Sequence, residues 1–342
     1  MFLISISSHF KLINHMTAIE RRALYNLLRM NWLNNPQMKV DHWQVDDYRI
    51  FSTETLFERL KKLNINLDKS SFIAYADECE SPEDLTEQLV GDRELKAQNE
   101  DQVYLLIFEL WRRLLSEKPS LSIICNELDQ LIYQYDQGKV ENSTLLQDQL
   151  NQFITLLDEN ADQGIPPQEV FIGVSTYCAN DIETFLYDFI SERIEEENEA
   201  YALDLLDDFS TYLGTNKWFD LLRARLSSLS NRKIATKQLS QLLEDYLDKQ
   251  DLEFNLELLS FMTEIGDPYT FKEVLQNTLP LLQTEEDFQD FLFICADYCH
   301  RLDQENKEKS IHILIHQRSN KELLHPFNSN DPALKILLHI FE

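Results

Sequence analysis

The residues best suited to metal chemistry are two cysteines and two histidines near the end of the sequence. Cys295, Cys299, His312 and His316 follow the spacing C-x3-C-x12-H-x3-H. Thiolates and imidazoles are the ligands that structural zinc prefers, usually four in a tetrahedron. If the chain turned back on itself near residues 303–307, each cysteine would lie level with one histidine. The spacing therefore permits a small structural metal site.

The helical phases around these residues favour a different interpretation. Both cysteines share an apolar stripe with Phe288 and Leu292, where cysteine behaves as a small hydrophobic residue. His312 and His316 lie about 100° round from the apolar stripe of their own helix. We therefore expect buried structural cysteines with flanking histidines, and the metal site is the alternative. A pH-sensitive histidine pair also stays open.

No other local pattern in the sequence assembles the residues of a known reaction type. The six glycines include neither the G-x-G nor the G-x4-G-K-[ST] spacing of phosphate-binding loops. DDFST, at residues 207–211, lacks the last aspartate of a magnesium-binding DDxxD motif. The sequence thus predicts no cofactor. An enzyme whose site is built from dispersed side chains of a helical body stays an alternative.

One segment combines aromatic residues in a way that suits protein binding. Residues 31–51 place Trp32, Trp43 and Tyr48 around an irregular, proline-containing stretch. Aromatic side chains are frequent anchors of protein interfaces. The alternative is that they pack this non-helical segment onto the rest of the protein.

An acidic run is the second candidate for partner binding. Glu195, Glu196 and Glu197 belong to the run IEEENE, between two amphipathic helices. As a turn, the run would form an exposed acidic edge. Such an edge is either simply solvated or attracts a basic helix or tail of another protein.

The charge of the whole chain points to the same kind of partner. Sixty acidic and 31 basic residues give a net charge of −29, which repels phosphate backbones, so we expect no nucleic acid. Residues 1–65 carry nine Lys/Arg against six Asp/Glu. The charge is expected to form a solvated acidic surface. The alternative is that this first segment docks on the acidic remainder, or that the remainder recruits basic partners. Five dispersed cysteines do not form a disulfide framework and indicate the cytoplasm.

The elements that must position these residues are predicted to be helices. Helices are indicated near 17–33, 53–63, 70–79 and 82–90, and the last has Ser81 as its N-cap. Met16, just before the first of them, is an alternative start to Met1. From residue 103 onward, apolar residues recur at helical spacing with few breaks. No apolar stretch reaches the ~20 residues of a membrane span.

The first helices of successive pairs are predicted to begin near 103, 142, 180, 215, 251 and 284. A two-helix unit of this length is typical of an α-solenoid. Residues 103–318 resemble the tetratricopeptide class in period only, because that family's consensus does not align. The resemblance implies an array of antiparallel helical hairpins with a long surface for partners.

We therefore predict an all-α fold with two domains. A small N-terminal helical domain covers residues 1–98, with a polar linker at 91–102, and a helical-repeat domain covers 99–342. The predicted function is a cytoplasmic protein–protein interaction module, such as a scaffold, adaptor or chaperone. The alternatives are the enzyme, a regulator of a secretion apparatus and the structural metal protein. The oligomeric state stays open.

Overall fold

The computed structural model describes residues 19–91, 95–139, 143–247 and 250–341, which fold as eighteen α-helices without a β-strand. The all-α prediction is thus confirmed. In the first half of the chain the helices are α1 (Arg21–Asn34), α2 (His42–Val45), α3 (Thr53–Lys62), α4 (Lys69–Asp77), α5 (Pro82–Val90), α6 (Ala97–Leu114), α7 (Leu121–Asp136), α8 (Ser143–Ala161) and α9 (Pro167–Ser175). In the second half they are α10 (Ile182–Glu195), α11 (Glu199–Leu213), α12 (Lys217–Ser230), α13 (Arg232–Tyr246), α14 (Leu252–Ile265), α15 (Pro268–Thr278), α16 (Glu285–Arg301), α17 (Glu305–Arg318) and α18 (Pro332–Ile340).

Helix starts follow the local capping chemistry of the sequence. The hydroxyl of Ser81 accepts a hydrogen bond from the backbone N–H of Asp84, and Pro82 opens α5, as the sequence predicted. At α16, Thr284 and Asp287 form a reciprocal capping box. Such caps satisfy the free N–H groups of a first helical turn, so the sequence alone fixes these boundaries.

The contacts divide the chain into two compact units. The first comprises residues up to Phe185 together with Thr211–Leu213, and the second comprises Leu186–Ser210 and Gly214 onward. The division into domains at 98/99 stays a prediction from the sequence. That position lies inside the first unit, and the predicted linker at 91–102 contains the start of α6 at Ala97.

A single hydrophobic core explains why residue 98 is not a boundary in the contacts. Leu60 of α3, Phe72 of α4 and Leu85 of α5 belong to the same buried cluster as Phe108 and Trp111 of α6. α6 is buried from Val103 to Trp111, and α3 and α5 pack on it directly. The N-terminal helices and the first long helix therefore form one folded body.

The second unit is built from helical hairpins. α12 packs on α13, α14 on α15 and α16 on α17, and the first helices of successive hairpins also contact one another, α12 with α14 and α14 with α16. This side-by-side packing is what a helical array requires. One core, from Leu221 to Leu337, runs through all of these helices.

The predicted repeat spacing agrees with the helix starts. The first helices of successive pairs begin at Ser143, Ile182, Lys217, Leu252 and Glu285. Each lies within a few residues of its predicted position, at intervals of 39, 35, 35 and 33 residues. The sequence did not predict α2 or α18. The choice between Met1 and Met16 as the start falls outside the described residues.

No helix in the described part of the chain combines the length and apolar character that crossing a bilayer requires.

Candidate partner-binding site

The four residues of the candidate metal site lie in different environments on α16 and α17. Cys295 and Cys299 are fully buried in the core of the second unit. Burial raises the pKa of both thiols, that of Cys299 to about 11. His312 and His316 are exposed. The described residues include no group of three or more His, Cys, Asp or Glu side chains that could hold a metal ion.

A different pair of histidines shares one carboxylate. His300 Nδ1 lies 3.2 Å, and His312 Nε2 3.7 Å, from Oε1 of Glu308. Each contact becomes an ion pair when the imidazole is protonated. The sequence pattern had grouped His312 with His316, one turn away on the same helix. The pattern did not include His300, because His300 on α16 contacts Glu308 on α17 across the turn between the two helices.

Substitutions of Cys295 and His316 distinguish the two interpretations. Cys295→Ala is expected to lower the free energy of unfolding by about 1 kcal/mol, because it leaves a small cavity in a packed core. His316→Ala should change the free energy of unfolding by less than about 0.5 kcal/mol, as is usual at the surface. Urea unfolding followed by circular dichroism measures both values. Equal and large losses for both variants would contradict the core interpretation and restore the metal site.

The aromatic residues predicted to bind a partner mostly pack their own segment. Tyr48 is buried, and its hydroxyl donates to the carbonyl of Trp43 at 2.9 Å. The half-buried ring of Trp43 lies 5.8 Å from the ring of Tyr25. Trp32 is half-buried on α1. The most exposed apolar side chain of this segment is instead Ile50, at 74%.

Two arginines hold this segment in place. Arg113 of α6 donates to three backbone carbonyls, those of Tyr48, Arg49 and Phe51, at 2.6 to 3.1 Å. Arg49 in turn donates both Nη atoms to the carboxylate of Glu127 on α7, the nearer at 2.7 Å. The segment is thus fixed to α6 and α7, as the packing alternative anticipates.

The acidic edge of the second unit is a solvent-exposed turn. Glu195, Glu196 and Glu197 link α10 to α11 and are all exposed. Glu197 has a φ of 58°, a left-handed conformation usually taken by Gly or Asn at a helix end. Glu195 and Glu196 keep 66% and 60% of their side chains exposed, although Arg225 and Arg193 lie within 3.5 Å of them. Their negative charge therefore faces solvent.

α16 carries a further exposed strip that the sequence analysis missed. Glu286, Asp290, Phe293 and Asp297 follow one another at intervals of four, three and four residues, so their side chains share one face of the helix. We call these four residues the α16 ridge. Phe293 is 46% exposed, which is unusual for a phenylalanine in a helix whose other faces are buried.

Asp290 is the most unusual member of the α16 ridge. It is half-buried and makes no hydrogen bond or ion pair with any described residue. Its pKa is raised to about 6, first by burial and then by the negative charges of Glu286 and Asp287. A cation placed beside it would favour its ionised form. The periodicity of α16 shows its buried stripe, but the burial and missing partner of Asp290 are visible only in the structure.

Comparison with known proteins found no matching family model, no matching curated protein and no matching solved structure. The resemblance to the tetratricopeptide class, which concerned only the period, therefore stays a prediction. The function has to be argued from the surfaces of the molecule.

Proposed function

We propose that the protein is a cytoplasmic interaction module whose second unit binds a basic segment of another protein. The observation that carries this proposal is Asp290, a half-buried carboxylate with no cationic partner among the described residues, beside the exposed ring of Phe293. The cytoplasmic location is supported by the five cysteines, all of which are buried and free.

The α16 ridge has the chemistry to receive a lysine or arginine together with an apolar side chain. A partner's ammonium or guanidinium group would pair with the Asp290 carboxylate and lower its pKa, and its aliphatic stem would cover Phe293. An arginine could also stack on the ring face. Glu286 and Asp297 flank this position on the same helix face. They and the acidic edge at 195–197 would speed the encounter with a basic partner and make it sensitive to salt.

The test uses the full chain as bait in lysate of its source cells at low and high salt. Three matched baits are compared: wild type, Asp290→Asn and Glu305→Gln. Glu305 is an exposed glutamate outside the α16 ridge, so its substitution removes one charge elsewhere. We expect a partner that is retained at low salt, released at high salt and lost with Asp290→Asn alone. Capture that is unchanged by Asp290→Asn and by Phe293→Ala would overturn the proposal for this surface.

Asp290→Asn is expected to stabilise the protein while it abolishes partner capture. The folded carboxyl keeps its proton up to about pH 6, whereas an unfolded one ionises near its ordinary pKa of about 3.9. Wild-type stability from this group is therefore present below about pH 4 and is lost as the pH rises to about 6. At pH 7.5 the variant should gain about 1 kcal/mol, after allowance for solvent screening of a partly exposed group.

Urea unfolding of the wild type and of Asp290→Asn, at pH 4.5 and pH 7.5, checks this prediction. The difference between the two proteins should grow with pH. A residue that costs stability and is needed for binding has the signature of a functional position. A loss of stability in Asp290→Asn at pH 7.5 would mean that Asp290 has a stabilising partner.

A further inference from the structure

A polar cleft lies in the first unit, between one face of α1, one face of α7 and the turn at 46–50. Its cavity of about 40 Å³ has room for a few water molecules or one small polar group. Three arginines line it, Arg22, Arg29 and Arg49. Three aspartates, Asp46, Asp47 and Asp129, line it as well.

Two of these arginines already have acidic partners. Arg29 donates to Asp47 at 2.9 Å, and Arg49 donates to Glu127 at 2.7 Å. Asp46, also in the cleft wall, pairs with Arg59 outside the cleft at 3.2 Å. The charges at this end of the cleft therefore compensate one another.

Arg22 is different, because its only hydrogen-bond acceptor among the described residues is neutral. Its Nε donates to the amide Oδ1 of Asn126 at 2.8 Å, and its guanidinium lies 4.8 Å from the centre of the Phe108 ring. Its two Nη atoms have no acceptor in the described part of the chain. Burial lowers the pKa of Arg22, and this effect outweighs the neighbouring Tyr104 and the acids Glu109 and Asp129, which raise it. Arginine nevertheless stays protonated in proteins, so the cleft contains a partly buried cation with open donors.

Two buried acids act on the charge of Arg22, Glu109 and Asp129, and neither is hydrogen-bonded to it. Glu109 accepts hydrogen bonds from Arg112 and Arg113. Asp129 accepts hydrogen bonds from the backbone N–H groups of Ala179 and Asn180, and from the side-chain amides of Asn180 and Asn26. Its oxygens are thus occupied by neutral donors. An oxyanion entering the cleft would find the Nη edge of Arg22 unoccupied.

We propose that Arg22 holds a carboxylate in this cleft. A carboxylate matches the two parallel N–H groups of a guanidinium edge. It carries one negative charge, so the aspartates of the cleft wall repel it less than a phosphate dianion. The carboxylate belongs either to a small free acid or to the C-terminal end of a peptide. This site lies in the first unit and is independent of the function proposed for the α16 ridge.

The test follows the side-chain Nε–Hε resonance of Arg22 by nuclear magnetic resonance during titration of the full chain. The probes are acetate, a short peptide with a free C-terminus, the same peptide amidated, and inorganic phosphate, all at one ionic strength. We expect saturable binding of acetate with a Kd on the order of 1 mM. Calorimetric titration of Arg22→Gln should show binding at least tenfold weaker.

Arg21→Gln is the matched control, because Arg21 is the neighbouring arginine of α1 and pairs with Asp101 rather than lining the cleft. Its acetate affinity should stay within twofold of wild type. Arg22→Lys keeps the charge without the planar fork, so it should bind several-fold more weakly while folding normally by circular dichroism. Arg22→Lys replaces Arg22→Gln as the test variant if Arg22→Gln does not fold.

The relative affinities of the four probes identify the source of the carboxylate or overturn the proposal. Tighter binding of the free peptide than of acetate, lost on amidation, assigns the carboxylate to a peptide end. Equal or tighter binding of acetate assigns it to a small acid. Phosphate binding tighter than that of every carboxylate, binding that persists unchanged in Arg22→Gln, or no binding of any probe overturns the proposal.

Discussion

Replacing Glu285 by glutamine is expected to lower the free energy of unfolding by about 3 kcal/mol, the scale for breaking a buried ion pair. Glu285 and Arg318 are both almost fully buried. Arg318 donates Nε and Nη2 to the two carboxylate oxygens, at 2.6 and 2.5 Å. In the variant the guanidinium stays buried but loses the charge of Glu285. Asp331, at 2.9 Å, is then its remaining hydrogen-bonded carboxylate among the described residues.

The pair also fixes the chain segment between α17 and α18. The backbone N–H of Glu285 donates to the carbonyl of His325 at 2.9 Å, and that of Phe327 donates to the carbonyl of Gln283 at 2.8 Å. Arg318 lies against the rings of Phe288 and Phe327. Loss of the carboxylate should therefore loosen this segment as well as α16.

A glutamate at the equivalent position of the next helix provides the control. Glu285 and Glu305 are the first residues of α16 and α17, and each has a basic partner. The Glu305–Lys309 pair is largely exposed, at 76% and 70%, so Glu305→Gln should cost less than about 0.5 kcal/mol. Urea unfolding measures both variants. Equal effects would show that burial of the ion pair does not determine its contribution.

Acidification should reduce the difference in stability between wild type and Glu285→Gln. Burial raises the pKa of Glu285, but the hydrogen bonds from Arg318 and Gln289 outweigh it, so the net pKa lies below the usual range. Stability from this group is present above the ordinary glutamate pKa of about 4.3 and is lost as the pH falls through the folded value. The difference between wild type and Glu285→Gln should therefore shrink on acidification below about pH 4.3.

Asn255→Leu is expected to have the largest effect in the opposite direction, a gain of about 1–2 kcal/mol in the free energy of unfolding. Asn255 lies on α14 and is 1% exposed. Neither its Oδ1 nor its Nδ2 has a hydrogen-bond partner among the described residues. Burying an amide without partners costs desolvation energy that nothing offsets, and leucine has a similar branched shape without polar atoms.

Two further substitutions at this position identify the cause of any change. Asn255→Asp adds a buried charge and should lower the free energy of unfolding by several kcal/mol. Asn255→Ala removes the unpaired amide but leaves a small cavity. Its free energy of unfolding should therefore fall between those of Asn255→Leu and Asn255→Asp. Thermal unfolding of the three variants gives the order. A loss in both Asn255→Leu and Asn255→Ala would mean that the amide is hydrogen-bonded in solution.

Much of the fold could be read from the sequence because helices are local. The apolar periodicity of α16 placed Cys295 and Cys299 in the core, and the residues around Ser81 placed the start of α5. The repeat spacing located the first helices of successive pairs. The predicted boundary at 98/99 rested on a polar run and stays a prediction. The core that α3, α4 and α5 share with α6 is visible only in the structure.

The candidate sites depend on facts that no local pattern contains. Arg22 and Asn126 are 104 residues apart in the chain. Only the folded structure shows that Arg22 has no acidic hydrogen-bond partner within the described part of the chain. The partial burial of Asp290 arises from the packing around α16. The sequence by itself determined the helices, their order and their buried stripes, since each follows from spacing within a few residues. The tertiary structure decided which charges are paired, because pairing depends on side chains that are distant in sequence and on their removal from water.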